Sequence, residues 1–153
     1  MAKNITLAII IGLFSFFIYR TFFANIPLQK TNVNIKDQEY TLEIASTISQ
    51  KSKGLMKRNS LCSNCGMIFV SEAPGEQIFW MKNTLIPLDI IFLDPDRKII
   101  NIENAVPQPS VPDLQLKLYR STAPSQYVIE LNEGDSQKLK LIPGDIINIS
   151  NLK

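Results

Sequence analysis

The sequence predicts a β-rich α+β domain with a compact, barrel-like antiparallel or mixed sheet and one main helix. Three observations support this fold class. Apolar and polar residues alternate in several short runs, turn residues separate the runs, and only one stretch beyond the N-terminus reads as a clear helix. Long connections between the runs argue against an open parallel sheet. Of the 153 residues, the 129 that follow position 24 are enough for one core.

The alternation begins with a hairpin and a helix. Val33 to Ala45 alternates apolar and polar residues on both sides of a polar turn, which is typical of two paired strands. Ser46 or Thr47 can then cap a helix that runs from Ile48 to Arg58. Gly54 lies inside this helix at a cost of about 1 kcal/mol relative to alanine, which indicates close backbone packing or an early end.

The remaining elements are shorter. Strands are predicted at Gly66–Ser71, Gln77–Met81, Ile86–Leu93, Lys98–Ile102, Tyr127–Leu131 and Ile146–Ile149. A short helix is predicted over Asp135–Leu141. The proline-rich stretch Asn104–Ser125 is predicted to be a long loop, because proline cannot donate to a sheet ladder.

A transmembrane or signal helix is predicted at the N-terminus. Ile5 to Phe23 is almost uncharged, and as a helix it spans roughly 28 Å, close to the hydrocarbon thickness of a bilayer. Arg20 lies within one turn of its end, where the side chain can snorkel to the interface. We therefore expect residues 1–24 to be an uncleaved anchor. A cleaved secretory signal and a buried core helix are the alternatives.

Residues 25–32 are expected to be a linker, and residues 33–153 a single domain. The short tail before the apolar segment favours a single-pass membrane protein with its domain on the extracytoplasmic side. Basic residues flank both ends of the segment, so the positive-inside rule alone does not fix this orientation.

Charge and composition exclude several function classes. Beyond position 24, 14 basic residues balance 14 acidic ones, because only Lys3 and Arg20 of the 16 basic residues precede it. This balance argues against a nucleic-acid partner. The chain has no histidine, which excludes Ser-His-Asp and Cys-His catalysis and imidazole metal ligands. No cofactor and no metal site are predicted.

Cys62 and Cys65 are the only cysteines, and their spacing leaves three interpretations open. A local disulfide, or a pair of spare thiols, is the simplest. A redox pair normally has its first cysteine at a helix N-terminus, whereas this pair follows a helix and precedes a strand. A zinc half-site would need two further ligands from carboxylates or a second subunit.

Asp89 lies inside an otherwise apolar predicted strand. A buried carboxylate without partners costs several kcal/mol, so Asp89 needs a cation or several backbone donors. Arg58 and Lys82 are the available cations. A structural ion pair is one explanation, and ligand binding or acid–base chemistry is the other. With Asn83, these residues form the candidate binding set; no catalytic residue is predicted.

Five ordered motifs resemble the domain-of-unknown-function family 192 between about Val33 and Ile149. They are GLMKR at 54–58, GMIF at 66–69, WMKNT at 80–84 with PLDIIF at 87–92, and ELNEG at 130–134 with Gly144-Asp145. The resemblance implies a small β-rich fold, commonly behind a signal or anchor segment. It implies no activity. Cys62 and Cys65 depart from the family pattern, which weakens a family-wide role for the thiols.

The leading hypothesis is a non-enzymatic extracytoplasmic module that binds a small ligand, a glycan or an envelope protein. It depends mainly on the missing catalytic residues. The alternative is an enzyme, either a thiol–disulfide oxidoreductase that uses Cys62 and Cys65 or a carboxylate-dependent hydrolase centred on Asp89. A structural component of an envelope assembly is a third class.

Overall fold

The computed structural model describes residues 27–149. The anchor predicted over residues 1–24, with its apolar segment Ile5–Phe23, lies outside the described residues, as does the start of the linker. Between residues 27 and 149, no helix is long and apolar enough to cross a bilayer.

The described chain forms eight strands, two short α-helices and one 3₁₀ turn. The strands are β1 (Lys30–Ile35), β2 (Gln38–Ala45), β3 (Cys65–Gly75), β4 (Ile78–Trp80), β5 (Leu88–Leu93), β6 (Ile99–Ala105), β7 (Leu118–Arg120) and β8 (Ser125–Asn132). The helices are α1 (Ile48–Lys53) and α2 (Asp135–Lys138), and the 3₁₀ turn covers Asp113–Gln115.

Six strands form one mixed sheet in the order β1-β2-β3-β8-β5-β6, and β4 pairs with β7 in a separate ribbon. Only β2 and β3 run parallel, because the chain crosses over through α1 between them. The β-rich fold and the hairpin of β1 and β2 are confirmed.

The expected barrel closure is not found within residues 27–149, where the sheet stays open between β1 and β6. The strand predicted at Ile146–Ile149 would have to close it. This segment instead makes single bridges, from Ile146 to Lys98 and from Asn148 to Asn34. Ile147 and Ile149 are buried, and the single bridges to the two edges of the sheet do not make a continuous ladder.

Both faces of the sheet are covered by apolar layers. One core joins Leu42, Ile68, Ile91 and Ile129 to the segment after α2. The second core, on the opposite face, packs sheet residues against side chains from the chain after α1 and from the β4–β7 ribbon. Its buried members include Leu55, Met67, Phe69, Met81, Ile90, Phe92, Tyr119 and Val128.

Two further elements differ from the sequence prediction. The helix predicted to reach Arg58 ends at Lys53, because Gly54 turns the backbone to φ +46°. The stretch Asn104–Ser125, predicted as a loop, contains the 3₁₀ turn and β7. Strand β7 has three residues, too few for an alternation pattern to be recognised.

Candidate functional site

A row of three glutamates crosses the second face of the sheet. Glu130 on β8 lies opposite Met67 on β3 and Ile90 on β5. Those two residues are in turn opposite Glu43 on β2 and Glu103 on β6. Met67 and Ile90 are fully buried, so the middle glutamate of the row is flanked by apolar side chains.

Glu130 is 4% exposed, and its Oε2 atom has no hydrogen-bond partner among residues 27–149. Burial raises the pKa of this carboxyl group to about 8, and the positive charge of Arg58 opposes the rise. Glu130 is therefore largely protonated at neutral pH. Buried polar atoms without a partner are few in native proteins. The described residues contain five, and of these only the Glu130 atom belongs to a residue that lines the cavity described next; the others are on Thr31, Tyr40, Gln108 and Asp135.

A cavity of about 250 Å³ opens beside Glu130, between α1 and β4. Leu55, Phe69, Phe79 and Trp80 contribute apolar surface to its wall, and Thr84 and Glu130 also line it. The rings of Phe69 and Phe79 meet edge to face with centroids 4.8 Å apart. The cavity thus combines apolar and polar surface in about equal parts with one buried carboxyl group.

The sequence around α1 explains how this wall forms. Thr47 and Gln50 form a capping box that fixes the start of the helix. Gly54 ends it, and a Cβ atom there would lie 3.5 Å from the Phe69 ring. The turn brings Leu55 against the sheet, where it is 2% exposed. Of the two alternatives expected for Gly54, the early helix end is the one that is found.

Arg58 does not contact Asp89 and instead forms a two-point ion pair with Glu43, with Nη1 and Oε1 3.0 Å apart. This hydrogen bonding lowers the pKa of Glu43 and raises that of Arg58 in spite of partial burial. Because the guanidinium group of Arg58 is hydrogen-bonded to Glu43, Arg58 affects Glu130 only through its charge.

Lys82 and Asn83 lie beside the cavity wall, in the turn that joins Trp80 to Thr84. Lys82 Nζ is 2.6 Å from Asp113 Oδ2 and 5.9 Å from the centre of the Trp80 ring. Asn83 adopts φ +53°, and its carbonyl oxygen accepts a hydrogen bond from the backbone N–H of Lys57. Both residues therefore fix the loop that positions the wall.

Asp89 lies on the opposite face of the sheet and is fully buried. It accepts hydrogen bonds from Asn104 Nδ2 at 2.7 Å, from Ser136 N at 2.8 Å and from Ser136 Oγ at 2.6 Å. Neither of the two cations considered as partners for Asp89 contacts it, because Arg58 pairs with Glu43 and Lys82 with Asp113. The candidate binding set is thus divided between two faces.

Cys62 and Cys65 form a disulfide in the loop that leads into β3, with their Cα atoms 5.1 Å apart. The side chain of Asn132, at the end of β8, donates a hydrogen bond to the carbonyl oxygen of Cys62. The disulfide loop is therefore held against the sheet. Among the described residues, no group of three or more His, Cys, Asp or Glu side chains is arranged to hold a metal ion.

Sequence reasoning missed Glu130, although a signal was available. The run YVIEL places Glu130 within an apolar strand, as the run PLDIIF places Asp89. Alternation puts Glu130 on the face opposite Ile129 and Leu131, and a charged residue at such a position is typical of the solvent side of a strand. The β4–β7 ribbon and the chain after α1 cover that face, and their packing could not be read from the sequence.

We expect Glu130→Gln to be more stable than the wild type at alkaline pH, with the difference vanishing toward acid pH. The ordinary pKa of 4.5 applies when the chain is unfolded, and about 8 applies when it is folded. Between these values the folded state holds a proton that the unfolded state has released. The stability contributed by this proton is complete below 4.5 and is lost as the pH rises through 8.

Urea unfolding at about pH 5, 7 and 9 measures this effect. Between the unfolded and folded pKa values, the difference in unfolding free energy between Glu130→Gln and the wild type should grow by up to about 1.4 kcal/mol per pH unit. Glu103→Gln, in the same row but only partly buried, is the matched control and should keep the wild-type pH profile. Parallel profiles for Glu130→Gln and the wild type would contradict a neutral buried carboxyl group.

Comparison with known proteins places this chain in a family. The model of DUF192, described as Uncharacterized ACR, matches residues 30–149. A protein of unknown function from Novosphingobium aromaticivorans DSM 12444 has a similar structure (TM-score 0.66), with 35% identity over 79% of this chain and 84% of that one. Another similar structure (TM-score 0.71), from Sinorhizobium meliloti 1021, is described as a "putative transcription regulator"; it is 32% identical over 81% of this chain and 96% of that one. No curated protein matches the sequence. The chain therefore belongs to the DUF192 family, as its motifs predict.

Proposed function

We propose that this domain binds a small molecule in the cavity beside Glu130. The single observation that carries the proposal is the buried Oε2 atom of Glu130, which lacks a partner among residues 27–149. Leaving such a group unpaired costs about 1–3 kcal/mol. A ligand that hydrogen-bonds to this carboxyl group would remove that cost.

The size of the cavity limits the ligand. An engineered apolar cavity of about 150 Å³ holds benzene, so about 250 Å³ leaves room for one ring and a short polar arm. Phe69, Phe79 and Trp80 offer apolar surface to such a ring. This volume favours a small molecule over a glycan chain or a protein segment.

The predicted anchor adds a location to this proposal. Ile5–Phe23 has the length and apolar character of a membrane span, which supports a binding domain tethered on the extracytoplasmic side. In that setting the domain would meet small molecules outside the cytoplasm. Protease protection of the intact membrane from either side tests this placement.

An enzymatic role has one observation in its favour. A carboxyl group with a pKa near 8 can act as a general acid or base at neutral pH. Asp89, the carboxylate expected to act in a hydrolase, is fully buried and bonded to three donors, which argues against a direct role. Turnover of a bound compound that is lost in Glu130→Gln would favour the enzyme over the binding module.

The fluorescence of Trp80 provides the test of binding, since Trp80 is the only tryptophan and lies in the cavity wall. The full chain in detergent micelles is titrated with a set of single-ring compounds that carry different polar arms. We expect saturable fluorescence changes, and affinities weakened about tenfold or more by Glu130→Met.

Glu103→Met is the matched control, because it makes the same change on the same face at the edge of the sheet. It should leave the affinities close to those of the wild type. If no compound binds, or if both variants weaken binding equally, the cavity beside Glu130 is not the binding site.

A further inference from the structure

The charge around the cavity is predominantly positive. Lys51 and Lys53, in the last turn of α1, line its rim. Among its lining residues, Glu130 is the only acidic one, and it is largely neutral at neutral pH. A ligand in this cavity has two lysines and no charged acid among the residues that line it.

The other charged groups near Glu130 do not reverse this balance. Arg58 is held in an ion pair with Glu43, and the positive charge that still acts on Glu130 favours an anion. Glu103 lies beyond Ile90 and accepts a hydrogen bond from Asn101 Nδ2 at 3.2 Å. The strands on either side of β8 present Met67 and Ile90 to the carboxyl group, and neither carries a charge.

A protonated carboxyl group is a strong donor to an anionic oxygen. Hydrogen bonds of the type O–H···O⁻ are shorter and roughly twice as strong as neutral ones. The free side of Glu130 is thus suited to the carboxylate of a ligand, whose desolvation the hydrogen bond and the nearby lysines would offset.

We propose that the ligand of this cavity is a small monocarboxylate with an aromatic or branched aliphatic body, whose carboxylate pairs with Glu130 below the two lysines. The inference rests on the proposed function and names the ligand class for that site. An ammonium compound of the same size is disfavoured, because its charge must pass Lys51 and Lys53.

Three probes that differ in their polar arm test the ligand class: phenylacetate, phenylacetamide and phenethylamine. Trp80 fluorescence is followed with the full chain in micelles at about pH 6 and pH 9. At pH 6 we expect phenylacetate to bind about tenfold more tightly than the other two. At pH 9 its affinity should fall about tenfold, because Glu130 then ionises and repels it while phenylacetate keeps the same charge.

Glu130→Gln removes the titrating proton at position 130 and nearly keeps the size and shape of the side chain. The glutamine amide also donates a hydrogen bond, so this variant should bind phenylacetate equally well at both pH values. Replacing Lys51 and Lys53 together by glutamine should reduce the preference for phenylacetate over phenylacetamide. Lys138→Gln, on α2 at the other face of the sheet, is the matched control and should not change it.

The outcomes distinguish the two proposals. Tighter binding of phenethylamine than of phenylacetate, or a phenylacetate affinity that rises with pH, overturns the ligand class and leaves the cavity as a binding site. The same holds if other single-ring compounds bind and phenylacetate does not. If every single-ring compound fails to bind, the proposed function is overturned as well.

Discussion

Asp89→Ala should destabilise the domain by about 3 kcal/mol or more. The substitution removes the acceptor of three hydrogen bonds and leaves Ser136 N, Ser136 Oγ and Asn104 Nδ2 without their partner inside the fold. The two Ser136 donors are buried, and each unsatisfied buried donor costs about 1–3 kcal/mol, although the hydroxyl group can rotate toward another acceptor; Asn104 is exposed, so its amide can turn to water. Urea unfolding of the full chain measures the loss.

Asp113→Ala is the matched control for this measurement. Like Asp89, Asp113 is a side-chain acceptor. Its donor is the cationic side chain of Lys82, and its own side chain is 68% exposed. Exposed ion pairs contribute between about zero and 1 kcal/mol, so this variant should unfold close to the wild type. If Asp89→Ala cost no more than Asp113→Ala, the buried hydrogen bonds would not stabilise the fold as described.

Gly66→Ala is expected to produce the second large effect, a loss of about 2–3 kcal/mol. Gly66 lies on β3 between β2 and β8, and a Cβ atom there would sit 2.5 Å from the carbonyl oxygen of Glu130. It would also lie 2.7 Å from side-chain carbons of Leu42 and Leu131. Relieving these close contacts requires backbone movement at the centre of the sheet, which costs more than a change of rotamer.

Gly75→Ala provides the comparison on the same strand. Gly75 ends β3, and a Cβ atom there has no neighbour within 4 Å among the described residues. Alanine has less backbone freedom than glycine in the unfolded chain, so folding loses less entropy. This substitution should therefore be neutral or slightly stabilising. Equal unfolding midpoints for the two variants would show that β3 and β8 approach less closely than described.

Much of the sheet was predictable because its strands carry regular patterns. The hairpin of β1 and β2 follows from the alternation of apolar and polar residues, and β5 from a run that is apolar apart from Asp89. The strand order was not predictable. Placing β8 between β3 and β5 depends on pairings between distant segments, for which a single sequence contains no local signal.

The candidate site was predicted only in part. The WMKNT motif does form part of the cavity wall, through Trp80 and Thr84. Asp89 attracted attention because a carboxylate stood in an apolar strand, and the structure supplies it with neutral donors from Asn104 and Ser136. Glu130 shows the same pattern without such donors, and only the packing of the second face distinguishes the two.

The late position of β8 in the chain affects when the sheet can assemble. Without Ser125–Asn132 the sheet separates into two pieces, β1-β2-β3 and β5-β6, which share no strand pairing. A chain emerging from the ribosome therefore cannot join its two halves until most of its residues are available.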